Sequence, residues 1–86
     1  MYQVSVGVHM TSNRDGAVVL DEIRGQMFLL NTTAAFVLDH LQHGLSEEEI
    51  IEEIANRYCV SKAVARGDVR EFLQALAESS VVQMTR

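Results

Sequence analysis

At 86 residues the chain has room for one domain, in which about 60 to 65 per cent of the unfolded surface is buried on folding, so its core must be compact. Seven Lys and Arg against twelve Asp and Glu give a net charge of −5, the wrong sign for a protein that holds a polyanion by counterion release, and generic nucleic-acid binding is set aside. Its apolar residues come in short groups, never the roughly 20 in a row that cross a bilayer; the N-terminus lacks a signal-peptide pattern, and one cysteine, Cys59, excludes an internal disulfide, so a cytoplasmic protein is expected.

Residues 3–10 alternate strictly, with Val4, Val6, Val8 and Met10 on one face and Gln3, Ser5, Gly7 and His9 on the other, which predicts a half-buried strand. A polar stretch ends in the turn signal Asp15-Gly16, and a second strand over residues 17–23 is apolar on both faces, as a central strand should be. Arg24-Gly25 reads as a tight hairpin turn into a third strand, residues 26–30, and the simplest sheet is an antiparallel meander in the order one, two, three. Asn31, Thr32 and Thr33 offer caps for a helix with Ala34, Val37, Leu38 and Leu41 on one stripe, closing at Gly44. Ser46-Glu47-Glu48-Glu49 is a capping box for a second helix, in which Ile50, Ile51, Ile54, Ala55 and Tyr58 are expected to face the core. Ser61 caps a third helix running to about residue 79, with Ala65, Val69, Phe72, Leu73 and Leu76 on its apolar stripe, after which Val81 and Val82 return against the body.

The expected fold class is therefore α+β, three antiparallel strands followed by three helices. Few residues offer chemistry. His40 and His43 lie one helical turn apart beside Asp39, but zinc wants three or four ligands, and nothing in the sequence brings His9 and Cys59 to them, so no metal is expected. Cys59, between Tyr58 and Val60, reads as a buried small apolar residue rather than a nucleophile, and no phosphate loop, serine elbow or spaced carboxylate pair suggests an enzyme. Lys62, Arg66 and Arg70 form a basic ridge on the third helix; it is either a solvated face with local ion pairs or a set of peptide contacts, with duplex DNA disfavoured by the acids around it. The third strand, Gln26, Met27, Phe28, Leu29 and Leu30, carries none of the lysines or prolines that blunt an open edge; either the domain or a second copy covers it, or another chain pairs with it.

Residues 15–21 (Asp-Gly-Ala-Val-Val-Leu-Asp), then Gly25 through Phe28-Leu29-Leu30-Asn31-Thr32-Thr33-Ala34, then Val37-Leu38, Leu41 and Gly44, Ile54-Ala55, Tyr58 and Val60, and Asp68-Val69 with Phe72-Leu73 and Leu76, together resemble the PqqD-like family of RiPP recognition elements. The Leu-Asn-Thr-Thr-Ala junction and the length look most like the small leader-binding proteins of lasso peptide gene clusters. The resemblance implies a winged helix-turn-helix-like domain spanning residues 1–86, without cofactor or catalytic residue. It also implies that the leader segment of a precursor peptide adds as a strand antiparallel to the third strand, in the groove beside the third helix. The partners implied are a leader peptidase of the transglutaminase-like cysteine protease kind and, indirectly, an ATP-dependent lasso cyclase. The peptide-binding residues expected on this basis are Gly25, Gln26, Met27, Phe28, Leu29, Leu30 and Asn31 along the strand, with Phe28, Leu30, Ala65, Val69 and Phe72 as pocket walls and Lys62, Arg66 and Asp68 at the rim. Whether Phe28 or Met27 faces the guest depends on a strand register that spacing leaves open. The competing function classes are an acidic winged-helix DNA-binding regulator and a plain structural subunit.

Overall fold

A computed structural model describes residues 2–84. Its elements are β1 (Tyr2–Val4), β2 (Val8–Asn13), β3 (Gly16–Asp21), β4 (Gln26–Leu30), α1 (Thr32–Gln42), α2 (Glu47–Tyr58), α3 (Lys62–Glu78) and β5 (Val82–Met84). The expected α+β architecture is present: β2, β3 and β4 form an antiparallel three-stranded sheet in chain order, and three helices follow.

The first expected strand is in fact two. Gly7 has a φ of +86° and Ile23 lies over it, so near that an added Cβ would sit 2.7 Å from Ile23 Cγ1. The chain bends there, Val6 swings out to 79 % exposure, and the single apolar face predicted for residues 3–10 is lost. What precedes the bend pairs elsewhere: β1 is antiparallel to β5, with Val4 opposite Val82. Ser5 N–H donates to the carbonyl of Val81 and Ser5 Oγ to that of Ser80 (2.9 and 2.7 Å), which fixes the C-terminal segment and buries Val81 and Val82 completely.

All three helices begin where the capping residues place them. Asn31 Oδ1 accepts from Ala34 N–H, Ser61 Oγ from Val64 N–H, and Ser46 and Glu49 form the reciprocal box. Two apolar clusters form the core, one among the helices and one between helices and sheet. One joins Val37 of α1 to Ile50, Ile51, Ile54 and Ala55 of α2 and Ala65, Val69 and Leu73 of α3. The other joins Val8 and Val19 of the sheet to Leu38, Leu76, Val81 and Val82. Tyr58, expected in the first of these, is 41 % exposed instead, on the last turn of α2, where it lines a surface cleft with Phe36 and Arg57.

The β3–β4 connection is a four-residue loop, longer than the tight turn expected. Asp21, fully buried, holds it by accepting from Arg24 and Ile23 N–H and pairing with the Arg24 guanidinium at 3.3 Å. The Arg24 backbone N–H, aided by its guanidinium, keeps the Asp21 carboxyl below the ordinary carboxylate range, as the Ser46 N–H does for Glu49. A lowered folded-state pKa contributes stability above the unfolded value, near pH 4, and that contribution disappears as pH falls through the folded value. Asp21→Asn should therefore be less stable than wild type at pH 7 yet lose less on acidification; urea unfolding at pH 7 and pH 3 measures both.

Candidate functional site

The register places alternate residues of the sheet in rows. Met10, Val19 and Phe28 share one row, and Ser12, Ala17 and Leu30 another, on the face toward the helices. His9, Leu20 and Met27, and then Thr11, Val18 and Leu29, occupy the opposite face. Phe28 and Leu30 are accordingly half-buried against the second cluster, whereas Met27 and Leu29 are 68 % and 80 % exposed.

Backbone alternation settles which main-chain groups of β4 are free. Glu22 N–H donates to the Gly7 carbonyl at 3.0 Å, so this pair, next in register to Val8 and Asp21, is a bonded pair of the β2–β3 ladder. Bonded pairs alternate along an antiparallel ladder, and successive residues of a central strand turn their amides to opposite neighbours. Asp21, Val19 and Ala17 therefore bond to Gln26, Phe28 and Leu30 of β4. The N–H and C=O of Met27 and Leu29 point outward from the sheet, and β4 pairs with β3 alone among the described strands. A chain added here would bond to the backbone of Met27 and Leu29 and meet the side chains of Phe28 and Leu30 on the helix side. The strand's ends are fixed: Gly25 adopts φ +65° at its start, and at its end Asn31 spends its side chain on capping α1, so Asn31 offers a guest only main chain.

Helix α3 corrects part of the expected groove. Ala65 and Val69 have no exposed surface and lie in the first cluster, beneath any groove rather than in its wall, while Phe72 is half-buried at the cluster's margin. Lys62 and Arg66, expected at the rim, turn to α2 instead: Lys62 pairs with Glu52 (3.1 Å), Arg66 with Glu48 (3.2 Å), and Arg70 with Glu47 (3.4 Å). At 100° per residue, positions 62, 66 and 70 fall on one flank of the buried stripe and positions 68, 72 and 75 on the other. The ridge thus serves α2, and the flank carrying Asp68, Phe72 and Ala75 is free of it. Sequence reasoning placed Leu76 on the stripe but not at the site; with Ala77 it packs into the same cluster as Phe28 and Leu30. Its i, i+4 spacing from Phe72 was the available signal.

The ion-paired ridge has a measurable consequence. Arg66→Ala should lower stability by only about 0.3 to 1 kcal/mol, as for other exposed pairs, and the wild type should not retard duplex DNA at about 0.1 M salt. Thermal melts and a mobility-shift titration test this, and salt-sensitive DNA binding lost in the Arg66 variant would revive the regulator reading.

The remaining candidates take structural places. His40 Nδ1 contacts the Phe36 carbonyl (2.9 Å) with its ring stacked on Phe36, and His43 Nδ1 contacts the Asp39 carbonyl (2.7 Å). Among the described residues no group of three or more His, Cys, Asp or Glu could hold a metal ion. Cys59 is not the buried apolar residue expected: it is exposed and left-handed (φ 53°), the residue that ends α2, and its backbone geometry follows from that position, not from its side chain. Among the described residues no helix is long and apolar enough to cross a membrane.

The family model for coenzyme PQQ synthesis protein D (PqqD) matches residues 16–82 of this chain. Among solved structures, TbiB1 in complex with the TbiA(beta) leader peptide superposes with a TM-score of 0.90 at 27 % identity, covering 98 % of each chain. A lasso peptide synthetase B1 complexed with the leader peptide superposes with a TM-score of 0.85 at 23 % identity over 96 % of this chain and 98 % of that one. The PqqD truncation of Methylobacterium extorquens PqqCD, a stand-alone RiPP recognition element solved by NMR, gives 0.79 at 21 % identity over 96 % of this chain and 88 % of that one. At those last two identities the likeness is one of fold. No curated protein matches the sequence.

Proposed function

The chain belongs to the family of coenzyme PQQ synthesis protein D, and from that premise we propose that residues 1–86 act as one non-catalytic recognition domain for the leader segment of a ribosomally made precursor peptide. The observation that carries the reading is the open edge of β4, where the main chain of Met27 and Leu29 is unpaired among the described strands and apolar side chains stand beside it. A leader adding antiparallel to β4 gains register and general affinity from the ladder. Selectivity comes from side chains at alternate leader positions, which enter between Phe28 and Leu30 on one side and the Phe72 flank of α3 on the other. The likeness to TbiB1, solved with a leader peptide bound, supports this use of the fold.

Two or three apolar anchors at about 1.5 to 3 kcal/mol each, with the ladder, outweigh the roughly 2 to 5 kcal/mol needed to order a disordered leader. Phe72→Ala should then weaken leader binding about ten- to fifty-fold, the value of one anchor partly lost. Fluorescence polarisation with a labelled leader, alongside a melt showing the variant folded, is the test; unchanged affinity would remove α3 from the groove. In the same reading the domain works in the cytoplasm and hands the bound leader to a transglutaminase-like leader peptidase and, through it, to an ATP-dependent lasso cyclase. Co-purification of the domain with the peptidase, strengthened by leader, tests that step.

A further inference from the structure

The charge of the chain is unevenly spent. Of the described lysines and arginines, Arg24, Lys62, Arg66 and Arg70 each pair with an acid of the chain itself. Arg14 and Arg57 have no acidic partner among the described residues, and both line one cleft of about 290 Å³. That cleft lies between the β2–β3 turn, the start of α1 and the end of α2. Arg57 is laid over the Phe36 ring, 5.0 Å from its centroid, and Phe36 is in turn stacked on His40 at 3.9 Å. A guanidinium resting over an aromatic face has lost some of its freedom before any ligand arrives, and its planar fork of donors suits a carboxylate. Tyr58, 41 % exposed, and Thr32 complete the rim, and among the described residues Asp39 is the one carboxylate lining the cleft.

We propose that this cleft docks an acidic segment of a partner protein, a carboxylate taken between Arg14 and Arg57 with an apolar side chain laid against Phe36 and Tyr58. Charge complementarity selects the occupant: in a chain of net charge −5, two arginines that line one aromatic-walled cleft and have no acidic partner among the described residues are an attraction for acids. Asp39 on the wall disfavours a dense polyanion and leaves room for isolated carboxylates. The site shares no residue with the outward main chain of Met27 and Leu29, although Gly16 and Thr32 on its wall adjoin the end of β4. The inference stands without the leader-binding reading.

The probe is an acetylated, amidated pentapeptide alternating glutamate with phenylalanine, titrated into the ¹⁵N-labelled full chain beside its glutamine counterpart. Expected are amide shifts confined to the β2–β3 turn, Thr32, Phe36 and the end of α2, which weaken at about 0.5 M salt and are absent with the glutamine peptide. Arg14→Ala combined with Arg57→Gln should weaken binding about ten-fold or more, the loss of at least one charge-assisted pair. Should the double variant fail to fold, Arg14→Glu on the exposed turn carries the test alone. Equal shifts with the glutamine peptide, unchanged affinity in the variants, or shifts caused by inorganic phosphate and not by the pentapeptide would each overturn the assignment.

Discussion

Met27→Pro is expected to lower leader affinity about 100-fold while the domain stays folded, and Phe28→Pro, one residue further on, to unfold it. The two positions differ in the direction of the N–H and in burial, Met27 being exposed and Phe28 packed against the second cluster. The Met27 N–H points away from the sheet, so a proline there removes a bond to the guest and sets its ring where the guest's carbonyl would approach, but costs the β3–β4 ladder nothing. Some backbone strain remains, on the order of 1 kcal/mol, which an edge strand tolerates. At Phe28 the same substitution removes a bond to Val19 and a half-buried aromatic ring from the second cluster, a loss of about 3 kcal/mol or more. Urea unfolding and polarisation titrations on both variants separate the effects. A folded Met27→Pro that binds leader at wild-type strength would end the strand-addition proposal. An unfolded one would show that the amide assignment along β4 is inverted.

Gly16→Ala should be the most damaging single-methyl change in the chain, at about 2 to 4 kcal/mol. Gly16 opens β3 with a φ of +143°, and a Cβ built on it would lie within 1.9 Å of the Leu30 carbonyl oxygen and 3.2 Å of the Asn31 carbonyl carbon. These are backbone atoms at the end of β4 and in the α1 cap, so they cannot rotate aside; the end of β4 must separate from the start of β3. The same displacement moves Leu30 and the α1 cap, so leader affinity should fall with stability. Gly44→Ala is the control, since Gly44 also has a positive φ (+85°) but nothing within 4 Å of the added atom. It should cost only the left-handed penalty of about 1 to 2 kcal/mol. Equal losses in the two variants, measured by denaturant unfolding, would mean that crowding at the strand end is not the cause.

These expectations depend on features of different legibility. The bounds of β4, the caps at Asn31, Ser46 and Ser61 and the buried stripe of α3 could be read directly from the chain. Each is set by residues within a turn or two of one another: an apolar period, a side chain that satisfies a nearby amide, a glycine that permits a turn. Local chemistry of that kind acts wherever the segment lies in space, and the ordered series of such signals carries the family resemblance.

Tertiary structure alone decided the rest, because each remaining feature depends on a partner far away in the chain. Tyr2 lies opposite Met84, and a three-residue strand has no periodicity strong enough to announce itself without that partner. Arg66 meets Glu48 and Arg70 meets Glu47 only because α2 and α3 pack side by side, which turned a ridge open to several readings into one flank of a helix pair. The outward direction of the Met27 and Leu29 amides is a matter of phase, fixed by how β3 bonds to β2 on its other side. Spacing along one strand tells which residues share a face; a neighbouring strand is needed to tell which edge is left open.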